Sequence, residues 1–365
     1  MPKGRIWIAL IACATEAFTP STVSRGPGRA HMAAFDTAVP TVDISPFTAP
    51  EAHSDAARRA VGQEWDAAMT NVGFAMIVGH GVDPGIVDTL RCGAHSFFGG
   101  PADAKQRYCY GPYGNPLGGF TSMGVEAVAR SRDDHGSDGG AKQTTALPDL
   151  VESFVFKPEE TTKPKPPSMD DAGHAYHAAL LKVLDALHRV TASALGLAED
   201  YFAPFYAPSA KCSLRLAYYP PLSTTQQTSS AVRYGAHTDY TGYTILCQDD
   251  NDVGALDAGG LQVLLKSGQW AAVTPRRNAF VVNIGDLYEV WTNGRWRSTV
   301  HRVMKPPPAS NAATQPRLSI PFFTGPHDDA RISCLPTCVS DKNPAKYQPV
   351  SAGEHLRRKL GISNV

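Results

Sequence analysis

The chain has 365 residues, with 34 basic and 34 acidic side chains, a formal net charge of +0 and 42% hydrophobic residues. That length supports a large core in one or two domains, and the charge balance argues against a nucleic-acid partner, because no basic stripe is available to neutralise phosphates. No apolar run reaches the length that spans a bilayer, so no membrane partner is expected.

The first 35 residues do not read as part of the fold. Lys3 and Arg5 precede a short apolar run, Ile6 to Ala14, with small residues around its end. That is the layout of a secretory signal. The acid-free stretch that follows, with Ser21, Thr22, Ser24, Arg25 and Arg29, reads as a transit peptide. Together they resemble a two-part plastid leader and predict plastid targeting. The alternative is a disordered tail on a cytoplasmic protein.

The folded part begins with a short strand at 39–44. Ser54 then starts a helix to about residue 72, with Val61, Trp65, Ala68 and Val72 on one buried face. A buried strand at 73–78, a Gly-His-Gly turn at 79–81 and a second helix over 84–97 follow. His80, between two glycines, reads as structural rather than ligating. Residues 99–150 are rich in Gly, Asp and Pro. Within them, 111–120 reads as a turn-rich loop and 130–140 as a polar, mobile one, of the kind that lines or covers a pocket. A strand returns at 151–156. An amphipathic helix spans 170–195, with Leu180, Leu184 and Leu187 on its core face and His174, His177 and His188 expected at the surface or at caps.

From Cys212 onward the pattern changes to short strands and turns, at 214–219, 235–239, 243–248, 261–265, 270–273, 279–284, 302–305 and 318–323. Helices first and many short strands afterwards suggest an α+β fold with a mainly β core, a barrel or sandwich with helices packed outside. The expected division is a leader or tail at 1–35, a helical and strand region at 36–205, a β core at 206–330 and an extension at 331–365 ending in a short helix at 356–360. The seven cysteines are scattered, odd in number and without a CxxC pair, which argues against a disulfide framework. Cys334 and Cys338 read as reduced thiols, with pairing or metal binding as the alternative.

Within the β region, Gly235-Ala236-His237-Thr238-Asp239 places an imidazole and a carboxylate at i and i+2, which share one face of a strand. A lone H-x-D arises by chance in many chains, but two further stretches supply what it lacks. His301, in Ser298-Thr299-Val300-His301-Arg302-Val303, sits beside a strand and is expected to reach the same point from the other side of the barrel. Arg317 and Ser319 again share a strand face. Two neutral imidazoles and one carboxylate on one face of an octahedral ion leave three positions free, which suits non-haem Fe(II) and oxygen chemistry. A 2-oxo acid and O2 would fill those positions. A dicarboxylate co-substrate then needs a cation at its far end, and the planar fork of Arg serves best. Ser319 adds a hydroxyl donor, and Tyr219 is placed to add a third group.

With these residues in view, the chain from about Val39 to Leu360 resembles the isopenicillin N synthase-like branch of the Fe(II)/2-oxoglutarate-dependent oxygenases. The stretches that carry the resemblance are Gly235 to Tyr240, Gly259-Gly260-Leu261-Gln262-Val263, Val281 to Asp286, Trp291 to Arg295, Ser298 to Val303 and Arg317 to Phe323. The resemblance implies a distorted jelly-roll, the double-stranded β-helix, with flanking helices and a helical N-terminal region. It implies His237, Asp239 and His301 as iron ligands, and Arg317 and Ser319, supported by Tyr219, on the distal carboxylate of 2-oxoglutarate. No catalytic side chain beyond the metal ligands is expected. The implied activity is oxidation of a C–H bond of a small organic substrate, by hydroxylation, desaturation or cyclisation, with release of succinate and CO2.

Departures from the family pattern are Ala217 where many members carry Asn, the Ser/Thr/Gln stretch at 223–230 and an apparent insertion at 251–258. Two other readings stay open: an iron oxidase of the same family that does not use 2-oxoglutarate, and an inactive binding protein on this fold. Phe120, Phe154, Tyr243 and Phe323 are candidate walls of the substrate pocket, with plain core the favoured reading of each. The sequence is silent on oligomeric state.

Overall fold

A computed structural model describes residues 38–363, apart from 112–116, 129–146, 230–231, 250–258 and 309. The expected leader at 1–35, the polar loop at 130–140 and the insertion at 251–258 therefore lie outside the described residues. Among the described residues twelve strands build the two main sheets, and Arg331–Ile332 pairs with Val350–Ser351 in a third, two-stranded one. The twelve are β1 (Thr41–Asp43), β2 (Phe74–Val78), β3 (Gly119–Thr121), β4 (Glu152–Phe156), β5 (Ser213–Tyr219), β6 (Tyr234–His237), β7 (Tyr243–Gln248), β8 (Gly260–Leu264), β9 (Trp270–Ala272), β10 (Phe280–Ile284), β11 (His301–Met304) and β12 (Arg317–Phe323). The larger sheet runs β1-β2-β10-β7-β12-β5-β4-β3, and the smaller runs β6-β11-β8-β9. This is the expected α+β arrangement, a jelly-roll with helices outside.

The period of two along the strands explains how one sheet serves two purposes. Leu214, Leu216, Ile245, Val282, Ile284, Leu318, Ile320 and Phe322 face outward into a core shared with the helices and are buried. The residues between them, such as Arg215, Ala217, Thr244, Leu246, Asn283, Arg317 and Ser319, face inward onto a cavity between the sheets. Each fully buried Leu or Phe on the outer face contributes roughly 1.5–3 kcal/mol, so the inner face is left free to carry polar groups.

The helix Asp170–Leu195 lies at the centre of the outer layer, and the helices Asp55–Asn71 and Pro84–Phe98 pack on it. Their ends follow the sequence closely. The Ser54 hydroxyl accepts from the Ala57 amide, Asp83 accepts from Gly85 beside Pro84, and Gly196 closes the long helix at φ 66°. No described helix is long and apolar enough to cross a membrane.

Several expectations need correction. His188 is neither exposed nor a cap; it is buried against Phe202 and Tyr206. The segment after the long helix folds back over its second face, a tertiary event that a one-face periodicity cannot show. Burial alone pulls the His188 pKa down to about 3, so the ring is neutral at ordinary pH. The loop at 111–120 ends in β3, a three-residue strand pairing with β4. The terminal helix spans Ala352–Ser363 rather than 356–360. A short helix, Asp286–Trp291, follows β10 without having been expected. Phe120 and Phe154 pack with Phe97 and Phe98 in the outer core, and Tyr243 packs on Trp65 and Tyr288. Of the four candidate wall residues, only Phe323 lines the cavity. His80 is structural: its ring stacks on Phe280 and bonds the Asn278 carbonyl. Cys334 and Cys338 are free thiols.

Candidate metal centre

The strand β6 ends at His237, so Asp239 lies just beyond it rather than on the same strand face. The two side chains nevertheless converge. His301 opens β11 and pairs directly with His237 across the smaller sheet. It thus arrives from the neighbouring strand and not from the other side of the barrel. The ligating atoms of His237, Asp239 and His301 all lie within 4.8 Å of one another. Asp239 Oδ1 is 3.7 Å from His237 Nε2 and 3.8 Å from His301 Nε2.

Each of the three has its other polar atom tied down. His237 Nδ1 bonds the Gly235 carbonyl at 2.8 Å, and His301 Nδ1 bonds the Thr299 carbonyl at 3.0 Å. A carbonyl only accepts, so each Nδ1 carries the proton and each Nε2 offers a lone pair to the shared point. Asp239 Oδ2 accepts from the Thr244 hydroxyl at 2.5 Å and from Asn283 Nδ2 at 2.6 Å, which leaves Oδ1 facing the imidazoles. Burial, then the neighbouring His301, pushes the His237 pKa down to about 3 and keeps the ring neutral. Edge contacts from Tyr234 on His237 and from Phe74 on His301 fix the ring planes.

The backbone behind Asp239 is held as firmly. The Asp286 amide donates to the Asp239 carbonyl at 2.9 Å. Gly285 permits that approach, since a Cβ there would stand 2.7 Å from the Thr241 carbonyl oxygen and 3.0 Å from that of Asp239. The Asp286 carboxylate in turn accepts from Ser298 Oγ at 2.8 Å and pairs with the buried Lys359 at 3.1 Å. The C-terminal helix therefore reaches the back of the metal site. Sequence reasoning missed this link, because Lys359 reads as one more surface lysine.

A second polar end of the same cavity is formed by Arg317, Ser319 and Tyr219. Arg317 sits directly across from Tyr219 in the β12–β5 pairing. Its Nη2 donates to Gln248 Oε1 at 3.2 Å, while Nη1 is buried with no partner among the described residues. Gln248 Nε2 has no partner among the described residues either. Buried donors without acceptors are costly, and a carboxylate bound here would satisfy them. Two neutral imidazoles and a carboxylate in this arrangement also fit a divalent ion with open positions. All six residues singled out in the sequence line one cavity. Thr244, Asn283 and Gln248 were overlooked, although Asn283 lies inside a stretch that carried the family resemblance.

Comparison with known proteins gives the same direction. The model of the 2OG-Fe(II) oxygenase superfamily matches residues 210–326, and that of the non-haem dioxygenase N-terminal region matches 39–174. The chain is 32% identical over 367 residues to a 2-oxoglutarate-Fe(II) type oxidoreductase of Metarhizium majus, covering 93% of this chain and 90% of that protein. It is 30% identical over 320 residues to a 2-oxoglutarate-dependent dioxygenase of Monascus ruber, covering 81% and 87%. The crystal structure of a full-length Neurospora crassa protein in complex with alpha-KG superposes with a TM-score of 0.72 at 25% identity, over 88% of this chain and 96% of that one.

Proposed function

Since the chain belongs to the 2OG-Fe(II) oxygenase superfamily and is a 2-oxoglutarate-dependent non-haem iron dioxygenase, we propose that His237, Asp239 and His301 hold its Fe(II), that Arg317 and Ser319 with Tyr219 hold the distal carboxylate of 2-oxoglutarate, and that the enzyme oxidises a C–H bond of a small organic molecule. What supports this reading most is the set of tied second atoms: each ligand candidate has one free donor atom, and all three point to one place.

When bound, Fe(II) with 2-oxoglutarate and O2 supplies the oxidising equivalent, and one oxygen atom leaves in succinate while CO2 is released. The side chains do the rest. His237 and His301 would each offer Nε2 to the metal, since their Nδ1 atoms are tied to the Gly235 and Thr299 carbonyls, and burial keeps the His237 ring neutral. Thr244 and Asn283 occupy Oδ2 of Asp239, so that only Oδ1 would be offered to a bound metal. Arg317 would hold the distal carboxylate of 2-oxoglutarate and so orient the co-substrate along the cavity that it shares with the three ligand candidates. The remaining wall is largely apolar, with Phe74, Leu246, Leu261, Val303, Pro321 and Phe323. It excludes water and favours a substrate that presents a hydrocarbon face. Hydroxylation is the simplest outcome: a C–H bond becomes C–OH, with the second oxygen atom of O2 retained in the product. Desaturation and ring closure are variants in which the substrate loses two hydrogens, which leave with the second oxygen atom as water.

The test is stoichiometric. Panels of small apolar and amphipathic compounds are incubated with Fe(II), 2-oxoglutarate and O2, and succinate is measured beside O2 uptake. Substrate-dependent turnover should release one succinate per O2 consumed. Product formation with O2 uptake but without succinate would remove 2-oxoglutarate from the scheme.

A further inference from the structure

Arg317 is not the only guanidinium against Tyr219. Arg233, just before β6, is 2% exposed, and its Cζ lies 5.5 Å from the Tyr219 ring centroid, against 5.3 Å for Arg317. Its Nη1 donates to the Pro220 carbonyl at 2.9 Å, and its backbone amide donates to the Val303 carbonyl at 3.1 Å. The side chain is thus held by a main-chain oxygen and a ring face, both without net charge.

The other buried cations among the described residues are neutralised. Arg215 pairs with Glu126 at 2.7 Å, Lys105 with Glu152 at 2.6 Å and Lys359 with Asp286 at 3.1 Å. Among the described residues no carboxylate pairs with Arg233, and none pairs with Arg317, whose hydrogen-bond partner is the Gln248 amide. Taking a cation out of water without a counter-ion is expensive. Burial, then the charge of Arg317, lowers the Arg233 pKa to about 10, so it stays protonated at neutral pH. Arg317 lines the cavity and Arg233 lies behind it, and these two uncompensated cations packed on the cavity-lining Tyr219 amount to a built positive field.

We propose that Arg233 is a positioning residue for the co-substrate: its charge, acting beside Tyr219 together with that of Arg317, makes this end of the cavity prefer a carboxylate over an uncharged tail. The proposal rests on the assignment of Arg317 to the distal carboxylate of 2-oxoglutarate. Arg233 need not touch that carboxylate. A unit charge acts across several ångströms where water is excluded and the effective dielectric is low. Its bond to Pro220 and its contact with Tyr219 also keep the ring in place beside Arg317.

The experiment compares two ligands that share the 2-oxo acid head. 2-Oxoglutarate carries the distal carboxylate; 2-oxopentanoate carries a methyl group there. Equilibrium binding of each to the anaerobic Fe(II)-loaded protein is measured by calorimetry. Arg233→Gln should weaken 2-oxoglutarate by about tenfold and leave 2-oxopentanoate within about twofold, because only the former feels the lost charge. Arg233→Lys should keep the wild-type preference to within about threefold. An equal loss for both ligands would mean a merely structural role, and no loss for either would overturn the proposal as well. If Arg233→Gln does not fold, Arg233→Lys carries the test, and a folded Lys variant that has lost the preference overturns it. Failure of the wild-type protein itself to prefer 2-oxoglutarate would instead remove the Arg317 assignment on which the proposal stands.

Discussion

Replacing either His237 or Asp239 by alanine should abolish iron-dependent turnover while leaving the fold intact. Both side chains project into a cavity rather than into the core, so truncation opens no void in the packed outer layer. The chemical loss is much larger. Two ligands from this chain cannot hold a labile divalent ion as three do. Loss of a supporting hydrogen-bond partner alone costs about 10–100-fold in metal affinity, and loss of a ligand should exceed that. Asp239→Ala also strands the Thr244 hydroxyl and Asn283 Nδ2, which both donate to its Oδ2. Far-UV circular dichroism should be unchanged in both variants, with Fe(II) retained poorly or not at all. Full turnover in either one would sink the ligand assignment.

Arg317→Ala should separate co-substrate binding from iron binding. The residue lies on β12, beside Ser319 and across from Tyr219, and it does not touch the three metal ligand candidates. Truncating one partner of a buried, hydrogen-bonded charge pair costs about 2–5 kcal/mol, which corresponds to a rise of roughly 30-fold or more in the 2-oxoglutarate requirement. Fe(II) affinity in the absence of 2-oxoglutarate should stay within about threefold of wild type. Gln248 would lose its bond to Nη2 but keeps its place on β7. An unchanged dependence on 2-oxoglutarate would show that the arginine serves something else, such as a carboxylate on the substrate.

Much of the site was legible because chemistry of this kind needs particular residue types at short spacing. Arg317 and Ser319 are two positions apart on one strand, so local geometry aims both the same way, whereas Asp239 lies beyond the end of β6 and is brought beside His237 by the turn that follows. The strand at 243–248 was legible to the residue, opening on the aromatic and β-branched Tyr243, Thr244 and Ile245. What was not legible depends on distant contacts. That His301 pairs directly with His237 is a matter of sheet order, which no local pattern encodes. His188 looks like a surface residue of an amphipathic helix until the following segment folds over it. Lys359 looks like a solvated charge until the C-terminal helix carries it to Asp286. Arg233 has no motif at all. Its interest comes from what surrounds it, a tyrosine ring, a carbonyl and a second guanidinium, each brought from another part of the chain.

The most direct test of the site is anaerobic titration of the wild-type protein with Fe(II) and 2-oxoglutarate, followed by visible absorption. The expected result is one Fe(II) per chain and a weak charge-transfer band that develops only when both are present, as chelation of a 2-oxo acid at a metal with open positions requires. The band should be absent from Asp239→Ala. Iron binding of equal strength in that variant, or both components bound to the wild-type protein without the band, would contradict a centre built from His237, Asp239 and His301.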